Sequence, residues 1–296
     1  MAPPDKQADI DPLIRQVEKT ELSSIRAVLS QIIQVATAPD SRAIDLKEAI
    51  ETDPPLASRV LKRVNSAHYG IARRGSGVSD LHMAVVFMGF ETIKELALSQ
   101  SICPLFQSNE TVHGYSRIAL WEHCMATALT GRLIYRRVFR MPGGQIHAAG
   151  LLHGIGIIVE DQCAQATFRE ALRALEESPG QSLADHERRL FGFSHADVGQ
   201  ALAKRWNFPD SLATAIGTES FPEGELDTET SRLAATVMLA GAAAQLRKFG
   251  FVESPGLTPD GLSVPLARLG IPPDGLERIL DEVGEELERM RDDGWF

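Results

Sequence analysis

The chain has 296 residues, of which 44% are hydrophobic and 24% charged, proportions that exclude a disordered or fibrous protein. It carries 30 Lys and Arg against 40 Asp and Glu, and the net charge of −10 repels nucleic acid and anionic lipid at long range. We therefore expect neither nucleic acid nor a membrane surface among its partners. The length suits one large domain or two small ones.

The spacing of the cysteines and the length of the apolar segments indicate the cellular compartment. Cys103, Cys124 and Cys163 lie far apart and form no C-x-x-C pair, so neither a disulfide framework nor a zinc knuckle is predicted. The N-terminus lacks the pattern of a signal peptide, and no stretch approaches the roughly 20 apolar residues that a membrane-spanning helix needs. We expect a cytoplasmic protein.

Apolar residues recur at helical spacing through most of the chain, which predicts an all-α fold. Asp53 before Pro54 is typical of a helix start, because the Asp side chain accepts from free amides and proline suits the first turn. Ser79 or Asp80 begins another helix, which ends at Gly89. Further helices are predicted over residues 91–101, 118–139, 145–152, 163–176, 182–190, 195–206 and 211–216, followed by an alanine-rich helix through residue 246.

The C-terminal part of the sequence predicts a loop followed by a narrow amphipathic helix. Residues 254–273 are rich in proline and glycine and are predicted to be loop with one helical turn. The last helix spans residues 274–291, and its apolar residues alternate at spacings of four and three. They are Leu276, Leu280, Val283, Leu287 and Met290. Because only about two heptads are present, we expect this seam to pack on its own domain, with a homodimer as the alternative.

Four stretches go beyond a general helical pattern. They are residues 53–70, 121–123, 149–156 and 191–209. Within them we assign a structural role to eight positions, namely Asp53, Pro54, Asn65, Ser66, Tyr69, Trp121, Gly150 and Trp206. For Asn65 the reason is local, since its side chain ends a helix and can tie the following turn to the backbone.

In their order and spacing these stretches resemble the HDOD domain, the HD-related output domain of bacterial signalling proteins, over about residues 22–222. The resemblance implies two packed helical lobes, an N-terminal bundle and a C-terminal lobe related to HD phosphohydrolases. It also implies an output or scaffolding role without known catalysis. On this chain we expect an extension over 1–20, lobes over 21–108 and 109–250, and a C-terminal loop and helix over 251–296.

The metal chemistry of HD phosphohydrolases is the main test of that resemblance. These enzymes use one or two divalent metals that activate water, so their histidines need carboxylates beside them. Here His153 is followed by Gly154, which cannot ligate a metal. The resemblance also implies paired histidines where Thr218 and Glu219 stand, and an aspartate where Gly241 stands. We therefore predict a degenerate, non-catalytic site.

Three histidines remain at motif positions, namely His123, His153 and His195. Together with Glu219 they are the residual candidates for one transition metal, because imidazole suits such ions. The alternative, which we favour because the aspartates are missing, is that they are core residues whose ring nitrogens bond backbone carbonyls. We expect no cofactor.

A basic stripe follows His123 on the same predicted helix. It consists of Arg132, Arg136, Arg137 and Arg140. A stripe of this kind is usually a solvated face. The alternative is contact with an acidic partner protein or a phosphate-bearing ligand, since guanidinium groups bind both bidentately.

Three functions follow from these observations. The favoured one is a regulatory module that acts through contacts with other signalling proteins and has no turnover. The first alternative is a metal-dependent phosphohydrolase, a phosphodiesterase or phosphatase, with an atypical histidine-based site. The second alternative is a sensor of a small phosphorylated ligand or nucleotide, also without turnover.

Overall fold

The structure is a computed structural model that describes residues 6–38, 40–66, 77–108, 110–178 and 180–296. Within these ranges the chain is helical almost throughout, which confirms the predicted all-α class. The strands β1 (Thr111–Val112) and β2 (Tyr115–Ser116) pair antiparallel as a short hairpin. Across the described ranges, no helix combines the length and apolarity needed to cross a bilayer.

Helices precede and follow the hairpin. Those before it are α1 (Lys6–Val17), α2 (Glu21–Thr37), α3 (Ala43–Glu51), α4 (Pro54–Val64), α5 (Leu81–Met88) and α6 (Phe90–Ile102), with a 3₁₀ turn at Cys103–Phe106. Those directly after it are α7 (Arg117–Ile134), α8 (Gly144–Leu152), α9 (Ile155–Cys163), α10 (Gln165–Glu177), α11 (Leu183–Leu190), α12 (His195–Arg205) and α13 (Asp210–Ile216). The last are α14 (Glu229–Leu246), α15 (Ser263–Leu269) and α16 (Pro273–Asp292).

Side-chain caps set the start of several helices. The Asp53 carboxylate accepts from the Leu56 amide at 3.1 Å, with Pro54 in the first position of α4. At α5 it is Asp80 that accepts from an amide of the first turn. At α12 the Ser194 hydroxyl accepts from the Asp197 amide at 3.3 Å in a capping box. These caps fix where the motif helices α4 and α12 begin.

Asn65 ends α4 and ties it to the segment that leads into α5. Its side-chain amide donates to the carbonyls of Leu61 at 2.9 Å and Val78 at 2.8 Å. Its Oδ1 accepts from the Val78 amide at 2.7 Å. The chain therefore returns to the end of α4 just before α5 begins. Tyr69, which the sequence analysis also singled out, lies outside the described residues.

Helices α7 and α8 form the centre of the molecule and approach each other closely. A Cβ atom on Gly150 would lie 2.5 Å from the Ala128 Cα, so a glycine is required at this contact. Helix α14 packs on both helices. Trp121 of α7 is buried and its ring lies 5.0 Å from that of Phe106, while Trp206 is buried at the end of α12.

The first and last helices both pack on helices that are distant from them in sequence. Helix α1 contacts α9 and α12, and α16 packs along α7. The apolar seam of α16 is buried within the chain, and it comprises Leu276, Leu280, Val283, Leu287 and Met290. Homodimerisation through α16 remains a prediction.

Some helix boundaries differ from the predicted ones. The predicted helix over 118–139 is α7 followed by a π-turn at Tyr135–Phe139, which ends at Arg140 in the left-handed conformation (φ 59°). The prediction left out α9 and began the next helix at residue 163. Helix α9 is apolar and largely buried, so it lacks the one-sided pattern by which helices are recognised.

The segment 254–273 holds more helix than predicted. It contains a 3₁₀ turn at Pro259–Leu262 and the helix α15. Proline was taken as a sign of loop, yet the proline of α15 lies in the first turn, where no backbone amide is needed for a helical hydrogen bond.

Candidate functional site

His123 of α7 and His153 at the end of α8 meet in the protein interior. Their Nε2 atoms are 3.1 Å apart, and the His153 Nδ1 lies 2.7 Å from the Gly150 carbonyl oxygen. In a neutral His153 ring, Nδ1 carries the hydrogen and donates it to this carbonyl, so Nε2 is an acceptor. Nε2 of His123 then carries the hydrogen of the pair.

Burial keeps both of these rings neutral. Loss of solvent, followed by the neighbouring His153, places the pKa of His123 well below its usual range. Burial also lowers the pKa of His153, although Glu253 and the Gly150 carbonyl act in the opposite direction. The two imidazoles therefore form an uncharged, hydrogen-bonded pair at neutral pH.

His195, the first residue of α12, has the opposite charge state. Its Nδ1 donates to Glu187 Oε2 at 2.7 Å, and its backbone amide donates to the same oxygen at 2.8 Å. Its Nε2 lies 3.4 Å from Glu253 Oε2. Burial alone would lower the pKa of His195, but Glu187 and then Glu253 raise it to about 9. The ring is an imidazolium held between two carboxylates.

A second buried carboxyl group, that of Glu160 on α9, lies beside Glu187. Burial and the charge of Glu187 raise the pKa of Glu160 well above its usual range. Burial acts in the same direction on Glu187, but the charge and hydrogen bond of His195 lower the pKa of Glu187 overall. Glu160 is therefore protonated and Glu187 ionised, as expected of two carboxyls too close to carry two charges.

A cavity of about 250 Å³ opens next to these groups. Its walls include His153, His195 and Glu219, three of the four residues that the sequence singled out as residual metal candidates. His123 lies behind His153. The Glu219 carboxylate forms an ion pair with Arg188.

Sequence reasoning missed Glu253, which reaches the cavity through the loop after α14. Gly250 has φ 77° and lies so close to α7 that a Cβ there would be 2.2 Å from the Ala119 carbonyl oxygen. The Phe251 amide donates to the same oxygen at 2.9 Å. This contact places Glu253 beside His195, and Gln245 donates to its other oxygen at 3.1 Å.

Glu160 and Glu187 were missed as well. Both lie inside helices and belong to none of the four motif stretches. The signal for Glu160 was a charged residue directly after the apolar run 155–159, which predicts either a helix end or a buried carboxyl group with a special partner.

The two glycines that replace expected aspartates have different surroundings. A Cβ on Gly154 would lie 2.9 Å from the Cys124 Sγ and 3.1 Å from the Leu120 Cδ1, so its side-chain space is filled. A Cβ on Gly241 would meet its first neighbour, Thr127, only at 3.8 Å and would lie 4.0 Å from His153 Nε2. Gly241 opens onto the cavity, whereas Gly154 is enclosed.

The donors present do not fit the two-metal centre that the resemblance implies. The Nε2 atoms of His123 and His153 are close enough to share one ion, given metal–nitrogen bonds of about 2.0–2.1 Å. However, His195 is held by two carboxylates and Glu219 by Arg188. Over the described part of the chain, no group of three or more His, Cys, Asp or Glu residues is placed to hold a metal ion.

The basic stripe is engaged within the chain over its first three arginines. Arg132 and Arg136 each donate to one oxygen of Glu95, at 2.7 Å and 2.6 Å. Arg137 pairs with Glu282 of α16 at 2.6 Å. Contact with an external acidic or phosphorylated partner would have to displace these carboxylates.

Glu95 is buried at the junction of α6, α7 and α8. Burial raises the pKa of Glu95, but His147 and the two arginines outweigh this effect and lower it overall. His147 lies 3.2 Å from the Ser99 hydroxyl through its Nε2. Burial lowers the pKa of His147 to about 4 despite the opposing effect of Glu95, so this ring is neutral at pH 7.

Comparison with known proteins identifies the family. The HDOD domain model matches residues 22–221. An uncharacterized protein of Treponema pallidum (strain Nichols) is 26% identical over 204 residues, and the match covers 66% of this chain. The chain spans only 37% of that relative's length.

Solved structures show the same fold. An HDOD domain protein of unknown function from Geobacter sulfurreducens superposes with a TM-score of 0.77 at 24% identity, covering 99% of both chains. A candidate phosphohydrolase from Shewanella amazonensis SB2B superposes with a TM-score of 0.68 at 22% identity, covering 97% of this chain and 98% of the other. These likenesses concern the fold. Since the family model covers well over half of its residues, the chain belongs to the HDOD domain family.

Proposed function

We propose that the chain is a non-catalytic regulatory module that acts through contacts with other signalling proteins, as an output component of two-component or cyclic-nucleotide signalling. The observation that carries this proposal is Gly154, whose side-chain space is taken by Leu120 and Cys124. A carboxylate after His153 is the group that metal-assisted phosphoester hydrolysis can least lose, because it helps to hold the ions that activate water.

The charges around the cavity also argue against phosphoester hydrolysis. The transition state of that reaction is anionic and needs cations that are free to meet it. The imidazolium of His195 is already bound by Glu187 and lies beside Glu253, and Arg188 is bound by Glu219. Both cations are therefore already paired with carboxylates before any substrate enters.

The test is a joint measurement of metal content and turnover on the untagged protein. We expect substoichiometric metal by plasma emission spectrometry. We also expect no hydrolysis of phosphomonoesters, phosphodiesters or cyclic dinucleotides with Mg²⁺, Mn²⁺, Zn²⁺ or Ni²⁺. Metal-dependent turnover that is lost in His153→Ala but kept in His82→Ala, a change at an exposed histidine, would refute the proposal. Activity that is equal in all three proteins would indicate a contaminant.

The cavity favours a second candidate function, a sensor of a small phosphorylated ligand or nucleotide without turnover. Its walls combine apolar side chains with a few polar groups, as small-molecule sites do. Calorimetric titration with cyclic dinucleotides and nucleoside monophosphates tests this candidate. We expect any binding heat to disappear in Gly241→Leu, which fills the cavity from α14. Heats no larger than dilution in the unmodified protein would exclude these ligand classes.

A further inference from the structure

The cavity beside His195 is lined by more carboxylates than cations. Its walls carry the carboxylates of Glu219 and Glu253 and one cation, the His195 imidazolium, since the other histidine ring on the walls is neutral. The ion-pair partners behind the walls do not change this balance, because Arg188 pairs with Glu219 and Glu187 pairs with His195. A ligand that enters the cavity therefore meets a net negative charge.

Several hydrogen-bond donors on the same walls are already engaged within the chain. The Ser182 hydroxyl donates to the Asp185 carboxylate at 2.8 Å, and the Thr218 hydroxyl donates to a backbone carbonyl of α13 at 2.7 Å. The His195 ring donates to Glu187. Phosphate oxygens are strong hydrogen-bond acceptors, so a phosphate group in the cavity would have to compete with these partners for donors.

Acceptor oxygens, by contrast, remain available on these walls. The Oε1 atom of Glu219 is buried and has no hydrogen-bond partner among the described residues, while its Oε2 accepts from Arg188. Glu253 Oε2 lies 3.4 Å from His195 Nε2, beyond the usual length of an N–H···O bond of about 2.7–3.2 Å. Buried polar atoms are rarely left unpaired, so these oxygens indicate a ligand that donates hydrogen bonds.

Much of the remaining wall of the cavity is apolar. It is formed by side chains of α13, of α14 and of the loop after α14, namely Ile216, Val237, Met238, Ala242 and Leu257. An apolar cavity of about 150 Å³ is large enough to bind benzene. The cavity here measures about 250 Å³, so it can hold a six-membered ring that carries one polar substituent.

We infer that this cavity binds a small organic ammonium compound, with the ammonium group at Glu219 and Glu253 and the apolar body against α13 and α14. An ammonium group suits these walls because it is a cation with three donor hydrogens and no acceptor. A phosphate carried by the same ligand stays outside the cavity. This inference rests on the second candidate function, a ligand sensor without turnover, and names the group of the ligand that enters.

Four compounds that share one ring and differ in its substituent test the charge preference on the unmodified protein. They are cyclohexylammonium, cyclohexanol, cyclohexanecarboxylate and cyclohexyl phosphate, titrated by calorimetry at neutral pH and constant ionic strength. We expect the ammonium compound to bind about tenfold more tightly than the alcohol or better, because hydrogen bonds between charged groups are the stronger ones. Both anions should bind more weakly than the alcohol. Equal binding of ammonium and alcohol, tighter binding of an anion, or no heat from the ammonium compound would overturn the inference.

Two matched variants locate the ammonium group. Glu219→Gln keeps the shape of the side chain and removes its charge, so we expect about tenfold weaker binding of cyclohexylammonium and unchanged binding of cyclohexanol. Glu223→Gln makes the same change at an exposed position of the same loop and should alter neither affinity. Equal ammonium affinities in the two variants would overturn the placement at Glu219.

A third variant shows whether the compounds bind inside the cavity. Gly241→Leu fills the cavity from α14 and should remove the binding of both the ammonium compound and the alcohol. Ammonium binding that persists in this variant would lie elsewhere and would overturn the inference. Phosphoester turnover would refute the proposed regulatory function, and absence of nucleotide binding would exclude those ligands. Neither result would change the order of affinities among the four cyclohexyl compounds.

Discussion

Helices α7 and α8 carry buried polar groups at both ends of their contact, and the two ends differ in construction. At one end Arg132 and His147 surround Glu95, whose two oxygens are both bound by arginines. At the other end His123 and His153 bond to each other beside a cavity. Burial and perturbed pKa values occur at both ends. The cavity beside His153 measures about 250 Å³, against about 60 Å³ beside Glu95 and His147, so the size of the adjoining cavity separates a candidate site from a structural joint.

The largest loss of stability is expected when the carboxylate of Glu95 is removed. Glu95→Ala leaves the guanidinium groups of Arg132 and Arg136 without their buried partner, and we expect the free energy of unfolding to fall by about 3–5 kcal/mol. Urea unfolding measures this change. Glu48→Ala removes an exposed carboxylate from α3 and should cost less than about 1 kcal/mol. A loss at Glu95 as small as that at Glu48 would show that the joint contributes little.

Replacing Gly154, the first position where the expected aspartate is missing, with aspartate should lower the stability of the folded chain. Gly154→Asp forces a side chain against Cys124 and Leu120 and places a carboxyl group in a filled space, for an expected loss of about 3 kcal/mol. Thermal or urea unfolding checks it. Adding Leu120→Ala makes room next to the new side chain, and the double variant should lose less than the sum of the two single changes. Strict additivity would contradict the steric explanation.

Lowering the pH below 6.5 should destabilise the folded chain through the buried histidines at both ends of the contact between α7 and α8. The pKa of His147 is about 4 in the folded chain and about 6.5 when unfolded. Between these values the unfolded chain binds more protons, so stability is fully present above pH 6.5 and falls as the pH drops towards 4. For His147 the expected loss is about 3 kcal/mol. His123 and His153, whose pKa values are also lowered, act in the same direction.

Urea unfolding at a series of pH values isolates the part due to His147. His147→Gln should flatten the profile between pH 6.5 and 4, whereas His82→Gln, at an exposed position, should leave it as it is. Identical slopes for the two variants would assign the pH dependence to other groups.

The smallest effect is expected at the second missing aspartate. Gly241 faces the cavity, so Gly241→Asp should cost no more than about 1 kcal/mol. Gly241→Ala should stabilise the chain by about 0.5–1 kcal/mol, because alanine favours the interior of α14. Opposite signs for these two changes, measured by thermal unfolding, would support open space at this position. A loss as large as that of Gly154→Asp would remove the distinction between the two glycines.

Local signals explain what could be predicted from the sequence. The Asp53 cap, the end of α5 at Gly89 and the helical class depend on residues within a few positions of each other. The motif order led to the HDOD family, and with it to His153 and His195 on one cavity.

Long-range contacts explain what could not be predicted. Glu253 reaches His195 only because Gly250 allows its loop to lie on α7, and nothing within either segment encodes that approach. Likewise the arginine stripe has the pattern of a solvated face. Its main partner, Glu95, is 37 residues from Arg132 in sequence, which no helical spacing can show.

The contact between Arg63 and Asp293 has a consequence for biosynthesis, since its partners are 230 residues apart in the chain. At about 5–20 residues per second, α4 leaves the ribosome on the order of 10 to 50 s before residues 293–295, which cover its end. During that interval the Arg63 guanidinium lacks the two backbone carbonyls and the indole ring that it contacts in the folded chain. The junction between α4 and the end of α16 can therefore form only when synthesis of these residues is complete, after most of the other helices have been made.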